Sequence, residues 1–263
     1  MTKKWGEMME FAKWCVETEE SVQKHRLRGL GIAAGKQAEA IGAIAKALPG
    51  YYTDPKRVAD LLKKLGKPAA AAHVEQKLPT QVSIRSGDLG EILCNAYVYE
   101  ATPFNFGIRR LRWKDHRNMS MRGEDVLAFS LDPKSGGLKI LKAEVKSRAG
   151  MKTAVIDEAR TALCANNGLP SPHALAFVAD RSNEIGDTVL GDALDKAMLK
   201  DGIRASQVSH MLFTFSGNDP LKLLKANLQS YVGLVPQHYI GLHVDGHQDF
   251  IKAVFAAIGK EGK

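Results

Sequence analysis

The chain has 263 residues, 44% of them apolar and 25% charged, with a formal net charge of +8. That length allows one large domain, or one domain with a smaller companion, and the composition is that of an ordinary globular protein. No stretch approaches the ~20 apolar residues that cross a bilayer, and MTKKWGEMMEFAKW at the start lacks an apolar signal core, so a cytoplasmic protein with no membrane attachment is expected. Cys15, Cys94 and Cys164 form no CxxC or Cys/His spacing; they are expected to be buried, reduced thiols, and zinc held by cysteine is not expected.

In chain order, residues 5–24 have helical spacing, with Trp5, Met8, Met9 and Ala12 on one side. Glycines at 29–35 break the pattern, and an Ala-rich helix follows over 37–48, ending at Pro49-Gly50. Asp54-Pro55 supplies an N-cap and a first-position proline for a helix to Leu65, Gly66-Lys67-Pro68 stops it, and a short helix over 69–77 precedes Pro79. Residues 1–80 therefore read as a mostly helical N-terminal region, with a boundary at Leu78-Pro79-Thr80 and a second domain over 81–263. From 81 onward a helix is predicted over 86–99, an extended basic segment after Pro103, and strands over 125–131 and 138–147. A helix over 152–165 follows, then strand 174–179, helix 187–199, strand 208–215, helix 219–230, strand 239–244 and helix 248–258. Strands alternating with helices predict an α/β fold with a mixed central sheet flanked by helices.

The chemistry concentrates in GEDVLAFSLDPKSGGLKILKAEVKSR, residues 123–148. A hairpin turn centred between Lys134 and Ser135 sets Asp125 opposite Glu144, and opposed Cβ atoms in antiparallel strands lie about 4.5–5.5 Å apart. Strand alternation puts Lys146 on the same face as Glu144 and turns Val145 away. Two carboxylates at that distance repel unless a cation separates them. Charges within runs as apolar as VLAF and LKIL are costly without a use, so a metal site is predicted, with Lys146 as a base or charge stabiliser. A further acid, Glu91, lies on the helix carrying Leu89, Ile92, Leu93 and Ala96.

A helix acid, a strand acid and Glu144-x-Lys146 together resemble the PD-(D/E)XK nuclease superfamily, with Glu124-Asp125 in place of the usual Pro-Asp. Within it the chain resembles the HamA family of the Hachiman anti-phage defence system. That resemblance rests on GDLGE (residues 87–91), on WKDHRN running into RGED (113–125), on AEVKSR (143–148) and on the α/β tail. It implies a PD-(D/E)XK core and DNA cleavage that depends on Mg²⁺ or Mn²⁺. It also implies control by a partner helicase of the HamB type. Asp125, Glu144 and the Val145 carbonyl would hold the metal, Glu91 would reach it directly or through water, and Lys146 would orient the attacking water or stabilise the transition state. Asp88 is a competing helix acid, or a cap of that helix.

DNA is the expected partner on charge as well. In RRLRWKDHRNMSMR, Arg109, Arg110, Arg112, Lys114, Arg117 and Arg122 face one acid and run up to Asp125; with Arg148 they are the predicted phosphate contacts. Trp113 is a candidate for stacking on a splayed base or for core packing, and His116 for a phosphate or base contact. Rival readings are a stand-alone restriction-type endonuclease and a DNA-binding subunit without turnover. Two other motifs are weaker. GLGIAAGK (29–36) lacks the Walker spacing, with Leu30 and Gln37 at positions that need Gly and Ser or Thr. His243, Asp245 and His247 would share a face on a strand and ligate a metal there, but Gly246 points to a turn.

Overall fold

In the computed structural model of the protein, which describes residues 8–259, a six-stranded mixed sheet runs in the order β1-β2-β6-β5-β4-β3. A short helix α1 (Phe11–Trp14) leads into the hairpin β1 (Cys15–Val22) and β2 (His25–Ile32). Helices α2 (Gln37–Ala47), α3 (Pro49–Tyr52), α4 (Pro55–Lys77) and α5 (Val82–Ala101) follow, then a 3-10 turn at Arg110–Trp113 and the hairpin β3 (Val126–Leu131) and β4 (Leu138–Arg148). The remainder is α6 (Thr153–Cys164), α7 (Pro172–Glu184), α8 (Thr188–Lys196), β5 (Val208–Ser216), α9 (Leu221–Gln229), β6 (Gln237–His243) and α10 (His247–Ala257). The interior strands β2, β6, β5 and β4 are parallel, and the hairpin partners β1 and β3 form antiparallel edges. The architecture is thus α/β with a mixed central sheet flanked by helices.

Two expected elements are corrected. The helix predicted over 5–24 gives way to α1 and the β1–β2 hairpin; Trp5, part of its predicted face, lies outside the described residues. Gln23 turns the hairpin at φ 55°, a left-handed conformation that Asn or Gly usually provides, so the turn carried no familiar mark. Glu17, Glu19 and Glu20 keep β1 charged and exposed, as suits a sheet edge. The helices expected between 37 and 77 are present, with Gly66 leaving helical geometry at φ 81° inside α4, and the single sheet draws strands from both sides of residue 80. The predicted strand 174–179 lies inside helix α7: Ser171 caps it by accepting from the Ala174 N–H, and Pro172 opens it. Leu175, Val178, Ala179 and Ser182 are its buried stripe, at helical spacing.

The first glycine of GLGIAAGK serves the sheet. Gly29 on β2 pairs with Gly241 on β6, and a Cβ on Gly29 would lie 2.6 Å from the Leu221 side chain, so the pair lets α9 sit close on the strands.

One face of the sheet is covered by α5, α2 and α10, where Ile92, Leu93, Phe213, Phe215 and Phe250 are among the buried side chains. The other face carries α7 and α8 over Leu127, Phe129 and Ile140, and α6 and α9 over Leu212 and Tyr239. Each such Leu, Ile or Phe contributes about 1.5–3 kcal/mol on burial. Helices α5 and α6 therefore sandwich β4 and fix its Glu144–Arg148 half from both sides.

Candidate active site

The β3–β4 register pairs Val126 with Ala143 and Leu131 with Leu138, which continues to Asp125 opposite Glu144, as the turn position predicts. Strand β3 begins only at Val126, while β4 runs on past its partner Ala143 to Arg148. Asp125 fills the next rung with its side chain: Oδ2 accepts the Val145 N–H at 2.8 Å. The N–H and C=O of one strand residue point to the same side, so the Val145 carbonyl also faces the edge that β3 has vacated. Two carboxylates and a main-chain oxygen thus gather at one place, toward the carboxyl end of β4.

Electrostatics there is strained by like charge. Burial raises the Asp125 carboxyl above its usual range, although the Val145 N–H and Arg110 oppose the shift. Burial likewise raises Glu144, and Asp125 raises it further. Lys146 lies 3.0 Å from Glu144 Oε1 and 2.9 Å from Glu158 Oε1. Burial works to lower the Lys146 pKa, but its bonds to Glu158 and Glu144 outweigh that and the net shift is upward. Lys146 is therefore a fixed cation suited to stabilising negative charge, and poorly suited to serve as a base. Glu158 on α6 was not anticipated; a glutamate on the helix after an E-x-K strand is too common a pattern to signal the contact.

Glu91 is placed differently from the expectation. Asp88, Glu91 and Asn95 form a polar stripe along α5, and Gly90 lets that helix approach β4, since a Cβ there would lie 3.0 Å from Val145 Cγ1. Arg110 grips Glu91 through Nε at 3.0 Å and Nη2 at 3.1 Å, and its Nη2 stands 3.8 Å from Asp125 Oδ1. Burial raises Glu91 to about 7 against the pull of Arg110. Glu91 thus meets Asp125 through a guanidinium. Asp88 does not cap the helix: it is buried, accepting from Tyr52 Oη at 2.8 Å and from Lys114 Nζ at 2.7 and 2.9 Å.

The basic segment divides in two. Arg109 and Arg112 both donate to the Gly50 carbonyl, and Arg109 stacks over the Tyr51 ring at 4.2 Å. With Arg110 on Glu91 and Lys114 on Asp88, four of the seven predicted phosphate contacts turn inward as braces. Arg117 is half-buried, and Arg122 and Arg148 are exposed. His116 is exposed, its Nδ1 accepting the Asn118 N–H. Trp113 packs edge-on against Phe177 on α7, with ring centroids 6.5 Å apart.

Other expectations sort as follows. His243 ends β6, Asp245 lies in the turn and His247 begins α10, so the three do not share a strand face. His247 is buried, with Nε2 3.1 Å from Ser147 Oγ, which in turn lies 2.8 Å from Ser86 Oγ. Cys94 is buried and Cys15 half-buried, but Cys164 is exposed at the end of α6, contrary to expectation. Lys142, two residues before Glu144 on the same strand face, is buried and donates to the carbonyls of Ala162 and Leu163 in the last turn of α6 and of Ala165 and Leu169 just beyond it. Its position in the alternating LKILKAEVKSR run was the available signal.

Among the described residues no three His, Cys, Asp or Glu side chains form a ready cage for a metal. Asp125, Glu144 and the Val145 carbonyl form a smaller set of hard oxygens, the kind Mg²⁺ takes when waters and phosphate complete its shell. The electrostatic conflict between the two acids is what such an ion would relieve, so the residues fit it.

The fold and site together define an α/β protein with paired acids and a lysine at the edge of its sheet. A family model named HamA matches residues 9–258, and the chain belongs to the HamA family. It is similar to the Hachiman protein HamA of Bacillus cereus, with 27% identity over 255 residues that span 94% of this chain and 89% of the relative. Among the described residues no helix is long and apolar enough to cross a membrane.

Proposed function

We propose that this protein is a metal-dependent deoxyribonuclease of PD-(D/E)XK type that acts in anti-phage defence. The observation that carries the reading is Asp125 standing in for the missing β3 rung at Val145, which sets it beside Glu144 and Lys146. Asp125, Glu144 and the Val145 carbonyl would hold Mg²⁺ or Mn²⁺. When bound, such an ion supplies Lewis acidity at the scissile phosphate and a more acidic attacking water. Lys146, kept charged by Glu144 and Glu158, faces the negative charge that builds on the phosphoryl oxygens. Glu91 and Arg110 act as an outer brace that fixes Asp125 from the helix side. Arg117, Arg122 and Arg148 are the phosphate contacts this reading retains.

A helicase of the HamB type is the partner we propose, on the strength of the family. Purified wild-type chain, alone and with a co-purified helicase and ATP, is expected to cut DNA in Mg²⁺ or Mn²⁺. The Glu144→Ala/Lys146→Ala protein should remain folded and cut nothing. Cleavage retained in that double variant overturns the proposal, and DNA binding without any cleavage under every condition would mark a binding subunit instead.

A further inference from the structure

Beside Asp125 the structure holds a cavity of about 460 Å³, between the basic segment and α7. Its size falls in the range of sites that enclose small organic ligands, about 300–1,000 Å³. Ile108, Leu127 and Val178 contribute apolar wall. Trp113 and Phe177 also border it, their planes 86° apart, so two aromatic walls stand almost perpendicular. Uncharged polar groups include the Asn95 amide, fixed in orientation by its Nδ2 bond to the Glu91 carbonyl at 2.9 Å, and His173 at the start of α7. Charged side chains of both signs line the rest of its polar wall, Lys114 and the exposed Arg122 against Asp125 and Glu124 among them.

A planar ring with hydrogen-bonding edges suits this lining. Aromatic and apolar walls take its faces, an oriented amide reads an edge, and a cation meets an attached phosphate. A sugar-phosphate backbone alone would leave the apolar wall uncovered. We propose that the cavity receives a nucleobase of the substrate strand, turned out of its stack, so that the adjoining phosphate lies at Asp125 and Glu144. This inference rests on the nuclease reading and adds a base-binding site to it. It also gives Trp113 a task beyond packing.

The test uses single-stranded and duplex DNA carrying 5-iodouracil, irradiated with the full-length protein in EDTA so that nothing is cut, with the crosslinked peptides mapped by mass spectrometry. Crosslinks on Trp113 or Phe177 are expected. Filling the cavity with Ala174→Phe, or with Met119→Trp should the first variant fail to fold, is expected to cut that yield about tenfold, as loss of a base–aromatic stack does. Crosslinks confined to other residues, or an unchanged yield in a folded filled variant, overturn the inference. Equal labelling of Trp113 by free 5-iodo-dUMP overturns the assignment to a strand. The two readings fail separately: a chain that cuts DNA but crosslinks elsewhere loses the base site alone. One that crosslinks at Trp113 but never cuts loses the nuclease reading.

Discussion

Arg110 closes both arms of its guanidinium on Glu91, at 3.0 and 3.1 Å, joining the 3-10 turn to the buried helix α5. Both side chains are almost out of solvent, at 13% and 12% exposure, and the same nitrogen reaches toward Asp125. Removing one partner strands the other's charge, which costs about 3–5 kcal/mol. Arg110→Met should therefore lower the urea midpoint severely. Arg110→Met with Glu91→Leu should recover the part of the loss owed to Glu91, leaving the more distant Asp125, 3.8 Å from the guanidinium in the wild type, without that cation. If the double variant is no more stable than the single, the ion pair is not what makes Arg110 matter.

The same argument applies to Asp88 and Lys114, whose side chains are 5% and 4% exposed. Lys114→Met is expected to cost about 3 kcal/mol or more in equilibrium unfolding, since Asp88 would lose its ammonium and keep the hydrogen bond from Tyr52. Its effect on DNA affinity, measured at a temperature where the variant is folded, should be small.

Outward-facing cations should behave in the opposite way. Arg117→Ala and Arg122→Ala should leave stability within about 0.5 kcal/mol. Each should reduce the slope of log affinity against log salt by roughly one, as loss of a single phosphate contact does. Filter binding across a salt series in EDTA checks both halves of this contrast. A salt slope unchanged from wild type in Arg122→Ala, together with lost stability, would reverse the assignment of inner and outer basic residues.

Buried His247 sets an acid limit on stability. Burial lowers its pKa from 6.5 to about 4, so the folded chain keeps the ring neutral while the unfolded chain protonates it. For a base depressed in this way, stability is complete above the unfolded pKa and falls as pH drops from about 6.5 toward 4. Between pH 8 and pH 5 the loss from this one group is about 2 kcal/mol. His247→Asn should shrink the difference in unfolding free energy between those two pH values by that amount. An unchanged difference would show that the ring titrates freely in the folded protein.

The residues differ in how openly they announce these roles. The β3–β4 register followed from the turn at Lys134 and Ser135 together with two-residue alternation, which leaves little freedom once one face is apolar. The parallel strands and the helices after residue 208 were legible for the same reason, as long runs of one period. The β1–β2 hairpin was hidden because β1 is a charged edge and its turn residue, Gln23, takes a positive φ without being Gly or Asn. The ALAFVA run of α7 fits either period, and Ser171-Pro172 was the mark that should have decided it.

For the site, sequence spacing placed Asp125 against Glu144 because both lie on one hairpin. It gave no view of which cations would be consumed inside. Arg109, Arg110, Arg112 and Lys114 read as a basic surface until α5 and Gly50 supply their acceptors, and those partners are 19 to 62 residues away. Positive charge in sequence records the presence of a cation, and only tertiary packing decides whether it meets a phosphate or a buried carboxylate.

The central claim is that Asp125 and Glu144 share a divalent ion at the start of β3. Titrating Mn²⁺ into the purified protein, and following free Mn²⁺ by electron paramagnetic resonance, tests it without requiring turnover. Saturable binding is expected in the wild type and its loss in Asp125→Asn/Glu144→Gln, with the fold retained. Equal Mn²⁺ uptake by that double variant, or none by the wild type even with DNA present, would contradict the account.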